Sequence, residues 1–357
     1  MSVEKMLEAL STVQEPDLGK DLVTLNMVSE LRIEGNQVSF TVTLTTPACP
    51  LKDRIKNDCI RAIHVANPEA VVLVNFTSHI NSKRTDPAAV LPNVKNIIAV
   101  VSGKGGVGKS TVASNFALSL AADGAKVGLM DADIYGPSLP IMFGVRGERP
   151  MMKNVNGKGM ILPLEKYGIR IMSIGLLIDE KNAVVWRGPM VSSAIKQFVS
   201  EVFWDELDYL VVDMPPGTGD IHLTLMQSVP VTGVIVVTTP QDVALADAKK
   251  AIAMFAQAQL KAPIIGLVEN MSYFIPSESP EQKYYIFGKE GGKRLAEEYD
   301  IPFLGQIPLI QRIREGGDEG KPVVLGNDEA ARKAFSDFAG NAARSIAMIN
   351  ANISPER

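Results

Sequence analysis

Nine consecutive residues constrain this chain more than any other feature. Gly103-Lys104-Gly105-Gly106-Val107-Gly108-Lys109-Ser110-Thr111 follows the apolar run Ile97–Val101 directly and opens a helical pattern over Ser110–Ala122. The spacing is G-x-x-x-x-G-K-[ST] in a strand–loop–helix setting. Glycines there let backbone N–H groups turn toward a phosphate, and the helix N-terminus adds a favourable dipole. Lys109 is placed to reach the β- and γ-phosphates of a nucleotide, and the Ser110 hydroxyl to ligate Mg²⁺. The alternative is an ordinary glycine-rich turn, which the complete motif in this context disfavours.

Around this loop the sequence alternates apolar strand-like runs with helical patterns: IIAVVSG, KVGLMDAD, IRIMSIG, YLVVDMPPG, GVIVVTTP, PIIGLVEN and PFLGQIP. Strands apolar on both faces belong to a buried parallel sheet, so residues 95–357 read as an α/β domain with helices flanking that sheet. The preceding 82 residues follow another grammar. A helical pattern over Val3–Val13 is followed by β-rich runs Val28–Ile33 and Val38–Leu44, joined at Glu34-Gly35-Asn36. Leu51, Ile55, Cys59 and Ile63 then give a helix one apolar face, and Ala70–Phe76 is a further strand. That is a small α+β domain, with residues 83–94, polar and holding two prolines, as a linker.

Two acidic positions lie where a phosphate loop needs them. Asp131 and Asp133 end the run Val127–Met130, and Asp213 ends Tyr209–Val212. Carboxylates at the carboxyl ends of neighbouring parallel strands face the ligand crevice. Asp213, followed by Met-Pro-Pro-Gly-Thr-Gly-Asp, reads as a magnesium carboxylate, with Asp131 beside it. Gly217 and Gly219 read as a mobile sensor of the γ-phosphate. Asp133 is the candidate for positioning an attacking water. Either Asp131 or Asp133 could instead cap the helix that follows.

The strings SGKGGVGKST, DADIYGPS, RGPM, VVDMPPGTGD, TTPQDVALADAKK and GLVENMSYF, in this order, closely resemble the Mrp/ApbC iron–sulfur cluster carrier ATPases. These deviant P-loop proteins stand in the group containing MinD and ParA. TTPACPLKD around Cys49 resembles the small metal–sulfur-assembly domain fused to bacterial members. The resemblance implies a P-loop NTPase fold binding ATP through Gly103–Thr111, with Mg²⁺ held at Ser110, Asp131 and Asp213. It implies Lys104 acting across a homodimer on the partner's nucleotide, against the alternative of a solvated loop lysine. It also implies Asn270 as an adenine contact, Lys104, Lys109 and Asp133 as the catalytic set, and delivery of clusters to apo iron–sulfur clients alongside the assembly machinery.

One departure stands out. The family's bridging cluster is held by a Cys-x-x-Cys shortly after VENMS, where this chain carries Pro276 and Ser279. Proline cannot ligate iron, and a serine alkoxide is a poor substitute for a thiolate. An iron–sulfur cluster would then depend on Cys49, whose place just before the helix at Leu51 favours a thiolate; the alternatives are a buried packing cysteine, or an ATP-dependent dimerising switch or scaffold that binds no cluster. Cys59 reads as core, and His64, His79 and His222 have no ligand spacing. In KYYIFGKEGGKRLAEEY a strand with core aromatics is expected before a helix.

The remaining bounds are compositional. A formal net charge of −4 and a segment from Ala334 without a lysine-rich amphipathic face disfavour nucleic acid and membrane as partners. No apolar run approaches bilayer length and two cysteines make no disulfide framework, so a cytoplasmic protein is expected.

Overall fold

The computed structural model describes residues 2–83, 90–155, 157–178, 188–257, 260, 262–276 and 282–352. They group into two compact units, Met1–Asn81 with Ala343–Glu356, and Ser82–Ala342.

The first unit opens with α1 (Val3–Leu10), capped by the Ser2 hydroxyl accepting from Lys5 N–H at 3.3 Å. The two-residue strands β1 (Gln14–Glu15) and β2 (Lys20–Asp21) pair antiparallel. Next come β3 (Val28–Glu34) and β4 (Gln37–Leu44), an antiparallel hairpin, then α2 (Lys52–Ala66) and β5 (Val71–Ser78), which lies parallel to β4. The inward side chains of β4, Val38, Phe40, Val42 and Leu44, meet Ile55, Cys59 and Ile63 of α2 in one core. Period-two burial on the strand and four-residue spacing on the helix face each other, which holds a domain this small together. The sequence reading carried the second domain through to residue 357, whereas the stretch from Ala343 groups with this first unit. There Arg344 pairs with Asp17, Nη2 to Oδ1 at 2.5 Å.

The second unit begins with β6 (Val94–Val101), so Val94, read as linker, is already strand. It continues through α3 (Lys109–Ala122), β7 (Val127–Asp131), α4 (Leu139–Met142), β8 (Met152–Val155), β9 (Lys158–Ile161), β10 (Leu164–Lys166) and β11 (Ile169–Ser173). After α5 (Gly188–Glu201) come β12 (Leu207–Asp213), α6 (Asp220–Ser228), β13 (Gly233–Thr238), α7 (Asp242–Phe255) and β14 (Ile264–Glu269). The last elements are α8 (Gly291–Glu298), β15 (Phe303–Gln306), α9 (Gln311–Asp318) and α10 (Glu329–Asn350). Eight strands form one sheet in the order β10-β11-β7-β12-β6-β13-β14-β15, parallel except for the β10 edge. Each strand read from an apolar run is in this sheet.

Two parts were not legible. The β8–β9 hairpin carries exposed and half-buried residues with no apolar run to betray it. The expected strand in KYYIFG is a single bridge, Phe274 with Tyr284, and Tyr284, Tyr285 and Ile286 are exposed, so the core placement of those aromatics is corrected. Arg187 of the RGPM string, and Ser279 where the family carries a cysteine, lie outside the described residues.

The strand order places the site. From central β6 the chain passes over the position of β12 to form β7, while β13 adds on the other side. A crevice opens where connections leave a sheet in both directions, at the carboxyl ends of its strands.

Candidate functional site

The loop leaving β6 turns through Gly106 (φ +83°) and Gly108 (φ +81°), a region closed to most L-residues, and Gly108 is the N-cap of α3. Its tightness has a second cause. A Cβ on Gly103 would collide with the Asp247 carbonyl of α7, and one on Gly108 with the Asn270 side-chain amide. Ser102, fully buried, donates its hydroxyl to the Lys104 carbonyl at 2.9 Å and fixes the first bend. Lys104 itself is half-buried, as are Ser110 and Thr111.

Lys109 stands at the start of α3 with 6% exposure, its Nζ 2.5 Å from Asp213 Oδ1 and 3.3 Å from Ser110 Oγ. Asp213 ends β12 in register with Asp131 at the end of β7, so two fully buried carboxylates adjoin. Burial, and secondarily the Asp213 charge, push the Asp131 carboxyl up to about 7. Asp131 accepts hydrogen bonds from the Ser173 hydroxyl (3.0 Å), Asp133 N–H (3.1 Å) and Leu139 N–H (3.4 Å). It therefore organises the turn into α4, and its oxygens already meet the chain's own donors. Asp213 differs, because its Oδ2 is buried without a hydrogen-bond partner among the described residues. That carboxylate oxygen and the Ser110 hydroxyl, both residues being held by Lys109 Nζ, are hard oxygen donors of the kind that suits Mg²⁺ and its water shell. Asp133 is half-buried, its carboxyl raised by burial, with Lys109 opposing the shift.

Asn270 follows β14 and donates from Nδ2 to the Val107 carbonyl of the loop at 2.8 Å. Glu269 beside it is fully buried, accepting from Gly292 N–H at 2.6 Å and from Gln306 Nε2 at 2.8 Å. It joins β14, β15 and α8 at one point, with its carboxyl raised by burial. After Asp213, the residues Met214–Gly219 form a loop in which Gly217 N–H donates to the Ser102 carbonyl at 2.9 Å. His222 on α6 closes the base of that loop, Nε2 lying 3.0 Å from the Pro215 carbonyl.

The structure thus brings together Gly103–Thr111, Asp131, Asp133, Asp213 and Asn270. Three participants escaped the sequence reading. Ser173 and Glu269 lie at strand ends like the aspartates and could have been found by that rule. His222 has no metal-ligand spacing, and its place three residues after Gly219 is the signal the sequence carries for it.

Cys49 belongs to the first unit. Its thiol is half-buried and pushed up by burial, with the Glu15 and Asp17 carboxylates adding to the shift. The Leu51 amide and Arg344 pull the other way and lose, so the expectation of a favoured thiolate is corrected. Cys59 is core, its thiol pushed up to about 12. Among the described residues no cluster of three or more His, Cys, Asp or Glu is disposed to hold a metal ion. No described helix is long and apolar enough to cross a membrane.

Comparison with known proteins agrees with this geometry. A family model described as NUBPL iron-transfer P-loop NTPase matches residues 93–343, and one described as iron-sulfur cluster assembly protein matches residues 4–76. An iron-sulfur cluster carrier protein of Synechocystis sp. is 46% identical over 350 residues, covering 98% of this chain and 99% of that protein. One from Deinococcus radiodurans is 46% identical over 355 residues, covering 99% and 98%. Among solved structures, a nucleotide-binding protein of Archaeoglobus fulgidus in complex with ADP, with cobalt found, has a TM-score of 0.58 at 37% identity, covering 67% of this chain and 92% of that one. The loop at the sheet's crevice, its buried lysine–aspartate pair and a match over most of the chain converge: this protein belongs to the NUBPL-type iron-transfer P-loop NTPases.

Proposed function

We propose that this protein is a Mg²⁺-dependent ATPase that carries iron–sulfur clusters to apoproteins as an ATP-dependent dimer. The observation that carries the reading is the Lys109–Asp213 pair beneath the glycine loop, with one Asp213 oxygen buried and unpartnered. In this reading the loop amides and Lys109 hold the β- and γ-phosphates, and Ser110 and Asp213 hold the magnesium with Asp131 behind them. Bound there, Mg²⁺ supplies charge neutralisation at the phosphates. Asn270, anchored to Val107 through its amide nitrogen, is the adenine contact in this reading. Asp133 orients a water in line with the γ-phosphorus; the new P–O bond forms as the bridging oxygen leaves with ADP. Lys104 reaches the partner's nucleotide and makes turnover depend on dimerisation. Clients and assembly partners are apo iron–sulfur proteins and their machinery, in the cytoplasm.

A second reading, a dimerising switch or scaffold without a cluster, is favoured by Pro276 and by the Cys49 thiol held toward its protonated form. One experiment separates the two. The purified chain is titrated with an ATP analogue by calorimetry, Lys109→Ala serving as control, then reconstituted anaerobically with iron and sulfide. The carrier reading expects analogue binding abolished in the control, and bound iron that falls in Cys49→Ser. Analogue binding without retained iron would select the scaffold, and no analogue binding would overturn both.

A further inference from the structure

The six residues after Asp213 form a loop that starts buried and then runs out to solvent: Met214 and Pro215 are buried, Gly217 half-buried, and Pro216, Thr218 and Gly219 exposed. Gly217 hangs from this tip by its N–H to the Ser102 carbonyl, the residue where the glycine loop begins. That amide is thus one peptide away from the phosphate cradle, while the start of the segment is tied to β6 by Met214 N–H donating to the Val100 carbonyl at 3.1 Å.

What holds the loop's base is His222. Its ring is 1% exposed and its edge packs on Phe255 of α7, centroids 6.4 Å apart at 67°. Nε2 lies 3.0 Å from the Pro215 carbonyl, and Nδ1 lies 3.3 Å from the Gly219 carbonyl. The Gly219 carbonyl already accepts the His222 backbone N–H at 3.1 Å. A neutral imidazole has one N–H to give, and the unserved Pro215 carbonyl at the shorter distance claims it. Burial lowers the basicity of the ring and keeps it neutral, with Lys109 adding in the same sense. One residue therefore holds both ends of the Pro215–Gly219 loop, the near end by its side chain and the far end by its backbone.

We propose that His222 is a positioning residue for triphosphate sensing: by stapling Pro215 and Gly219 it confines motion to the tip, so that the Gly217 N–H passes between two acceptors, the Ser102 carbonyl and the terminal phosphate of a bound nucleoside triphosphate. A diphosphate offers no acceptor at that place and leaves Gly217 on Ser102. The ring touches neither phosphate nor metal ligand and acts through Gly217. This inference rests on the nucleotide-site reading and extends it to how the two phosphorylation states are told apart.

The test uses the full chain and two variants. His222→Phe keeps the packing on Phe255 and removes the donor; His222→Gln restores a donor able to reach the Pro215 carbonyl. Amide exchange at Gly217 in nucleotide-free protein reads the staple alone, and is expected to rise at least tenfold in His222→Phe and to return toward native in His222→Gln. Calorimetry with ADP and a non-hydrolysable ATP analogue reads the sensing. ADP affinity should stay within about twofold, the preference for the analogue should fall about tenfold, and KM for ATP should rise by about the same factor. Native exchange at Gly217 together with native preference in a folded His222→Phe overturns the proposal. So does a loss of ADP and analogue affinity by the same factor, which marks a merely structural role. If native protein binds neither nucleotide, the site reading and the sensing role fall together, while faster Gly217 exchange in His222→Phe would still establish the staple.

Discussion

At Cys49, burial and the sign of the neighbouring charges decide what chemistry the sulfur can do. A residue just ahead of a helix is expected to hold a thiolate, yet the desolvated thiol beside Glu15 and Asp17 favours the neutral form. A thiol whose acidity is weakened reacts only as pH climbs past the ordinary cysteine range. Alkylation of Cys49 by iodoacetamide, followed by peptide mass spectrometry on folded protein, should therefore show a rate midpoint above that of a free thiol. A midpoint at or below the free-thiol value would reverse the assignment and restore a ready metal ligand. Lys109 and Asp213 illustrate the opposite case, in which two buried charges satisfy one another. Removing one partner of such a pair costs about 3–5 kcal/mol, since the other is left in a medium that cannot solvate it.

Among the elements, α3 shows how loop and helix are made as one piece. Its N-cap is a glycine at positive φ packed against Asn270, and its body is buried almost all round by small side chains and Phe116. Gly108→Ala should cost about 1–2 kcal/mol of stability from the left-handed backbone alone. It should also weaken nucleotide binding at least tenfold by displacing Asn270. Urea unfolding and calorimetry measure the two effects, and a variant matching native protein in both would contradict this account of the loop. The strands around it could be read in advance because burial on both faces writes itself as continuous apolar sequence, as in Ile97–Val101 and Gly233–Thr238. Met152–Ile161 could not, since a solvent-facing hairpin needs no such run. The aromatics of Tyr284–Ile286 misled for the converse reason: side chains that usually signal a core are exposed here. At the site, motif spacing revealed the loop and the strand-end aspartates. It could not reveal that Asp131 serves backbone amides while Asp213 keeps an oxygen without a partner, because that division depends on the turn into α4.

For the molecule as a whole, the half-buried Lys104 is the residue whose proposed work lies outside its own chain. Lys104→Ala should keep analogue affinity within a few-fold while abolishing turnover and nucleotide-dependent dimerisation, read by phosphate release and light scattering. Unchanged turnover would confine that lysine to its own loop. The pairing of Arg344 with Asp17 spans 327 positions of sequence. At ribosomal speeds of about 5–20 residues per second, roughly 16–65 s separate the emergence of these two partners. Asp17 is thus translated long before the arginine it pairs with, so this one contact of the amino-terminal unit forms only after every strand of the large sheet has been synthesised.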